Sequence, residues 1–352
     1  MKLASKVLPS LVTFFIGVGA MYIANVLITR YAGEALVADW ATLNSFMMVG
    51  GAFVIVGFAV SALCFQWWRT NLHMTAAYMT NGTWRLAFLI GVVLLFITDK
   101  APLSQILIGA FLIGFCVLGF LFLRLKPRAD LVAIHSDITK TKDVYLIGSS
   151  YFMAALSLAI ASYGESLVVR TIGSTADVAL YFKSLVLFLF PGVMFNQYVA
   201  AIVGPTLRQN EARAINYLRR YKLLIIGALL LIWPALIAAG YILGRLIYGS
   251  YFTPPALAAL LAFTACMRLI YILPSNFVGI TANKKQLRWI SAAYLGFALM
   301  FPLMSWGLAE AGLAVIFAVA TANLINWTLR TLAGLSIVKQ RFALYPITAK
   351  AS

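Results

Sequence analysis

The stretch ANVLITRYAGEAL, residues 24–36, ends a long apolar run with Arg30, and a glycine follows three residues later. The stretch GESLVVRTIGSTA, residues 164–176, repeats this arrangement at Arg170, again with a glycine three residues on. An arginine that closes an apolar segment, followed by a glycine that lets the chain turn, predicts two equivalent junctions between helices. The pair therefore indicates a helical fold that arose by duplication.

The composition places these helices in a membrane. Of the 352 residues, 63% are hydrophobic and 11% are charged, whereas a globular protein has about half and about a quarter, respectively. The apolar runs approach the roughly 20 residues that cross a bilayer as a helix, and they lack the strict alternation of barrel strands. The sequence therefore predicts an all-α polytopic membrane protein.

Ten apolar segments are predicted to cross the membrane, and the third would be longer if it began within residues 74–84. The predicted spans are residues 8–29, 41–65, 84–98, 102–123, 144–163, 178–204, 222–243, 255–279, 288–307 and 311–337.

The basic residues predict the orientation. With the N-terminus in the cytoplasm, most of the 27 lysines and arginines fall in inner loops. The outer segments hold only Arg30, Lys100, Arg170 and Arg245. By the positive-inside rule, both termini are predicted to be cytoplasmic. The net charge of +17 is spread over short loops, so it does not indicate nucleic-acid binding.

No pattern predicts an enzyme, a cofactor or a metal site. The three cysteines lie in predicted spans without metal-ligand spacing, and the two histidines lie in inner loops. These residues are Cys64, Cys116, Cys266, His73 and His135.

The repeat predicts two lobes. A displacement of four spans preserves membrane orientation, so the copies are predicted to be parallel repeats, as in many transporters. We expect a first lobe of four spans at residues 1–125, a cytoplasmic linker at 126–143 and a second lobe of six spans at 144–352.

Five segments carry a resemblance to a known family. They are ITRYAGEALVADWATLNSF (28–46), VVRTIGSTADVALYFKSLVLFLFPGV (168–193), AIVGPTLRQNEARA (201–214), LIYGSYFTPPALAALLAF (246–263) and GLAEAGLAVIFAVATANLINWTLR (307–330). In pattern and order they resemble the Wzx-like polysaccharide and O-antigen flippases of the multidrug/oligosaccharidyl-lipid/polysaccharide exporter superfamily. Members of that family usually have twelve or more spans, so the resemblance implies a shortened first lobe.

The resemblance implies transport without bond chemistry. Such proteins carry undecaprenyl-diphosphate-linked sugar repeat units across the bacterial inner membrane for O-antigen, capsule or exopolysaccharide synthesis. The implied partners are the lipid-linked glycan and membrane lipids; further candidates are a polysaccharide polymerase and assembly proteins.

A diphosphate in the membrane needs cations and hydrogen-bond donors, since burying an unpaired charge costs many kcal/mol. The candidate binding residues are Arg30, Arg170, Lys183, Arg268, Arg330, Asn323 and Asn326. The last three fall at i+7, i and i+3 on one face of the tenth span.

Each candidate also has a structural interpretation. Arg30, Arg170 and Lys183 could extend to lipid headgroups, and the asparagines could join helices. Arg330 could mark the inner end of its span. Arg268 could belong to a buried ion pair, and the acids Glu165 and Glu310 lie near outer helix ends.

Three other functional classes stay open. A drug or organic-cation antiporter needs buried carboxylates, whereas the predicted interior carries cations. A membrane glycosyltransferase or polysaccharide polymerase needs acids on a substantial outer loop, and the first outer loop holds only Glu34 and Asp39. A non-transporting scaffold is the third.

Overall fold

A computed structural model describes residues 2–54, 74–98, 141–209, 220–250 and 252–344, and these residues contain helices and no strand. The prediction of an all-helical chain is therefore confirmed for this part. Six helical segments are long and apolar enough to cross a membrane: Leu146–Tyr163, Thr175–Ala200, Tyr221–Tyr248, Pro255–Gly279, Lys284–Glu310 and Val315–Gln340. The total of ten spans in two lobes stays a prediction. The span at 102–123 and most of the linker at 126–143 lie outside the described residues.

The chain divides into two compact units, the first formed by residues 1–40 and 50–135. Its described helices are α1 (Lys2–Tyr31), parts of α2 (Glu34–Val54) and α3 (Met74–Thr98). A Cβ atom added to Gly17 would lie 2.7 Å from Cα of Gly82. Helices α1 and α3 therefore pack backbone against backbone, the close approach that small residues permit between membrane helices.

The second unit, residues 41–49 and 136–352, contains the remaining described helices. They are α4 (Thr141–Tyr163), α5 (Glu165–Ile172), α6 (Thr175–Ser184), a π-helical turn (Leu185–Leu189), α7 (Phe190–Gln209), α8 (Tyr221–Gly227), a second π-helical turn (Ala228–Ile232), α9 (Trp233–Tyr248), α10 (Pro255–Thr281), α11 (Lys284–Glu310) and α12 (Val315–Leu344).

Helices α10 and α12 form the interior of the second unit. They pack on each other, α10 also packs on α7 and α9, and α11 packs on α4 and α12. Both helices are largely buried, whereas the segment from α8 to α9 leaves most of its apolar surface uncovered. A polar side chain on α10 or α12 is therefore held inside the unit.

Short polar motifs fix where two of the helices begin. Ser174 and Asp177 cap each other at the start of α6, and Asn283 and Gln286 do the same for α11. Such reciprocal caps satisfy backbone N–H groups that have no partner within the helix. The break between α5 and α6 at Gly173 is thereby fixed by the sequence that follows it.

A candidate anion site in the second unit

Polar and aromatic side chains from six helices of the second unit meet around α12. We call this group the polar cluster. It comprises Ser157 on α4, Glu165 on α5, Tyr181 on α6, Arg268 and Tyr271 on α10, Tyr294 on α11, and Asn323, Asn326, Trp327 and Arg330 on α12. Every member is buried.

Glu165 is the centre of one half of the polar cluster. Nη2 of Arg268 donates to its Oε1 over 2.8 Å, and the Tyr181 hydroxyl donates to its Oε2 over 2.6 Å. The side-chain amide of Asn323 also donates to Oε1. Glu165 is only 2% exposed, so these three donors replace the water that an ionised carboxylate would otherwise bind.

Gly164 sets the position of Glu165. It interrupts the helical chain between α4 and α5, and its N–H donates to the Ile160 carbonyl over 2.8 Å. A Cβ atom at this position would lie 2.6 Å from that same oxygen. Because no side chain fits there, glycine permits the close turn after which Glu165 faces the interior.

Arg268 lies deep in its span. It is thirteen residues beyond Pro255, or about 20 Å of helix rise. Besides Glu165, its Nη2 reaches the Ala161 carbonyl at 3.4 Å, and its Cζ lies 4.7 Å from the centroid of the Trp327 ring. The buried ion pair considered as an alternative for Arg268 is therefore formed, with Glu165 as its acid.

Arg330 has a different environment. It is 0% exposed, and within the described residues it forms no salt bridge. Its Nη1 donates to Ser157 Oγ over 3.2 Å and reaches the carbonyls of Ser157 and Tyr294 at 3.4 Å. Among the described atoms, Nε and Nη2 have no hydrogen-bond partner. Arg330 lies ten residues before Gln340, the last residue of the candidate span.

Three aromatic rings surround the Arg330 guanidinium. Its Cζ lies 4.5 Å from the ring centroid of Tyr294, 5.4 Å from that of Trp327 and 5.5 Å from that of Tyr271. Ring faces attract cations, by up to about 2 kcal/mol when water is excluded, but they carry no net charge. Within the described residues, the positive charge of Arg330 therefore has no counter-charge.

The two asparagines continue the polar stripe of α12. Asn326 is 0% exposed, and neither its amide nitrogen nor its amide oxygen has a hydrogen-bond partner among the described residues. The side-chain oxygen of Asn323 is likewise unpaired there. With one carboxylate against two guanidinium groups, the polar cluster has a surplus positive charge and unused N–H donors. This combination suits an anion.

The structure brings four of the seven candidates together: Arg268, Arg330, Asn323 and Asn326. Arg170 is exposed and donates from Nη1 to Thr175 Oγ1 over 3.0 Å, outside the polar cluster. Lys183 is half-buried on α6 and, within the described residues, hydrogen-bonds to no member of the cluster. Arg30 belongs to the first unit, where it is exposed and its Cζ lies 5.1 Å from the ring centroid of Tyr31.

Sequence reasoning did not predict Tyr181, Ser157 or the aromatic surroundings of Arg330. It named Glu165 only as an acid near an outer helix end. Charge balance was a usable signal, since an arginine deep in a span calls for a partner and acids are scarce in this chain. No sequence signal pointed to Ser157, whose contact with Arg330 joins residues 173 positions apart.

Comparisons of the chain with protein-family models, with curated proteins and with solved structures give no match.

Proposed function

We propose that this protein moves undecaprenyl-diphosphate-linked oligosaccharide repeat units across the bacterial inner membrane, for O-antigen, capsule or exopolysaccharide synthesis. The observation that carries the proposal is Arg330, a fully buried guanidinium in a membrane-type helix with no carboxylate partner among the described residues.

Burial of an uncompensated cation is costly, because removing a charge from water is repaid only by a counter-charge and good hydrogen bonds. The polar cluster supplies two guanidinium groups and one carboxylate. An anionic substrate would supply the missing charge, and its oxygens would accept from the unused N–H groups of Arg330 and Asn326. A diphosphate has several such oxygens, and arginine is well suited to bind them.

The resemblance to the flippases narrows the substrate from any anion to a lipid-linked diphosphate. Two of the resembling segments, 168–193 and 307–330, contain Tyr181, Asn323, Asn326 and Arg330 of the polar cluster. In the proposed mechanism the helices around the cluster open to one leaflet and then to the other, while the lipid tail stays in the bilayer. The protein performs no bond chemistry in this scheme.

One observation favours a second candidate, the organic-cation antiporter. Glu165 is a buried carboxylate, the kind of group that such an antiporter would use for a cation. Its engagement by Arg268 and two further donors makes Glu165 less available for that role, so we place this candidate second.

The test compares Arg330→Ala with Arg288→Ala, which removes an exposed arginine on α11, in a strain from which the native gene is deleted. At equal protein levels in the membrane, we expect Arg330→Ala to lower surface glycan about tenfold or more. The loss of charge-assisted hydrogen bonds worth about 1.5–3 kcal/mol accounts for this size of effect. Arg288→Ala should retain normal glycan, and Arg330→Lys should retain part of it.

Normal glycan in Arg330→Ala, together with normal glycan in Arg268→Ala, would contradict the proposal. If glycan stays normal while Glu165→Ala makes the cells sensitive to toxic organic cations, the antiporter is the better description.

A further inference from the structure

We infer that Glu165 is an internal competitor of the substrate: its carboxylate occupies the place on Arg268 that a substrate phosphate takes when it binds. This inference rests on the proposed function, because it assigns the order in which that function's substrate engages the polar cluster.

The donors that hold Glu165 are donors that would hold a phosphate. A guanidinium from Arg268, a hydroxyl from Tyr181 and an amide from Asn323 all converge on the two carboxylate oxygens. Both carboxylate and phosphate accept such charge-assisted bonds in a similar geometry. A phosphate that reached Arg268 would therefore compete with Glu165 for the same N–H and O–H groups.

The two arginines differ in whether they have a carboxylate partner, and this difference sets the order in which a diphosphate would bind them. Both guanidinium groups lie against the ring of Trp327, at 4.7 Å for Arg268 and 5.4 Å for Arg330. Within the described residues, Arg268 has a carboxylate partner and Arg330 has none. One phosphate of a diphosphate would bind Arg330 first. The second phosphate would then bind Arg268 only after it displaces Glu165.

Glu165 is attached to an element that is suited to such a displacement. It is the first residue of α5, which has only eight residues and is bounded by Gly164 and Gly173. Arg268 and Arg330, in contrast, lie well inside helices of 27 and 30 residues. The carboxylate can therefore be released by a local change in a short helix, while the arginines keep their positions.

Competition of this kind has a measurable consequence. An internal anion neutralises Arg268 when no substrate is present, and it lowers the affinity for the diphosphate, because part of the binding free energy is used to displace it. It also favours release, since the returning carboxylate replaces the departing phosphate. Removing the charge of Glu165 should therefore raise the affinity for the diphosphate and slow its transport.

The experiment uses the purified full-length protein in lipid nanodiscs with geranylgeranyl diphosphate as the probe, and it measures the dissociation constant by tryptophan fluorescence. We expect Glu165→Gln to bind about tenfold more tightly than the wild type, or about 1.4 kcal/mol. Glu165→Asp, whose shorter side chain reaches Arg268 less well, should fall between the two. Glu310→Gln, the same change at an exposed acid of α11, should bind as the wild type does.

A thermal melt separates competition from a merely structural role. Without the probe, Glu165→Gln should melt at a lower temperature than the wild type, because Arg268 loses its counter-charge. With the probe, its melting temperature should rise by more than that of the wild type. If Glu165→Gln does not fold, Glu165→Asp decides the question by its dissociation constant.

The outcomes distinguish this inference from the function on which it rests. If the wild type binds the probe and the Glu165 variants bind it equally well or more weakly, the competition is overturned and the proposed function stands. If neither the wild type nor any variant binds a prenyl diphosphate, both are overturned. Tighter binding by the Glu165 variants, together with weaker glycan export in cells, supports the competition.

Discussion

Two helical hairpins of this chain are built on one plan and differ in charge. In the first unit, Trp40 Nε1 on α2 donates to Asn25 Oδ1 on α1 over 2.9 Å. In the second, the Tyr181 hydroxyl on α6 donates to Glu165 Oε2 on α5 over 2.6 Å. Asn25 precedes Glu165 by the same 140 positions that separate Arg30 from Arg170. Each hairpin thus joins its helices by an aromatic donor and a buried acceptor.

The two acceptors differ in charge, and they therefore differ in the partners that they need. The Asn25 amide is neutral, and a buried neutral acceptor needs only a hydrogen bond. The Glu165 carboxylate also needs a counter-charge, which Arg268 provides from α10. The carboxylate therefore belongs to a charged site that involves four helices: α5, α6, α10 and α12.

The test with the largest expected effect removes Arg268, the counter-charge of Glu165. Arg268→Ala leaves Glu165 buried without its cation, and we expect the free energy of unfolding to fall by about 4 kcal/mol. The measurement is a titration of the purified protein with SDS in detergent micelles, followed by circular dichroism. The double variant Glu165→Gln/Arg268→Gln should recover much of the loss, because no charge is left unpaired. A loss below about 1 kcal/mol in Arg268→Ala, the value typical of an exposed pair, would contradict the assignment.

A second test introduces the charge into the first hairpin. Asn25→Asp keeps the shape of the side chain but places a carboxylate at a position that is 3% exposed. We expect the free energy of unfolding to fall by about 3 kcal/mol at pH 7, because a buried charge without a partner is strongly destabilising. The same titration at pH 4 should show a smaller loss, since protonation removes the charge. Equal stability of this variant and the wild type at pH 7 would mean that the first hairpin can also hold an anion.

The test with the smallest expected effect concerns Gly164, which precedes the acceptor Glu165. Helix α1 runs unbroken through the buried Ala24, whereas the corresponding residue of the second copy is Gly164, between α4 and α5. Gly164→Ala would force the Ile160 carbonyl to move, and we expect it to cost about 2 kcal/mol, a usual cost of overpacking. Gly148→Ala on α4, where an added Cβ meets nothing within 4 Å, is the matched control and should be neutral or slightly stabilising. Equal melting temperatures of the two variants would contradict the role of Gly164.

The sequence predicted the long helices of the second unit well, because the bilayer sets their length. The segments expected at 144–163 and 255–279 correspond to Leu146–Tyr163 and Pro255–Gly279. It did not predict α5 as a separate helix, because the break falls at one residue, Gly164, between two helical segments. It left the start of α3 open, and the described helix, Met74–Thr98, includes the residues that precede the apolar run.

The candidate site was predictable only along a single helix. Helical spacing placed Asn323, Asn326 and Arg330 on one stripe, and all three are buried together. The pairing of Glu165 with Arg268 joins residues 103 positions apart, and no local pattern encodes such a contact. Lys183 lies two residues beyond Tyr181 on α6 and is half-buried outside the cluster, because neighbouring positions on a helix point in different directions.

The π-helical turn at Leu185–Leu189 has a consequence for the membrane span that contains it. A π turn takes in one residue more than an α turn, so it rotates every later side chain by about 100° around the helix axis. Helix α6, before the turn, packs on α5, whereas α7, after it, packs on α10, where Asn196 donates to the Ala265 carbonyl over 2.8 Å. The extra residue of the π turn thus lets one span pack on α5 before the turn and on α10 after it. Deletion of one residue within the turn would direct Asn196 away from α10.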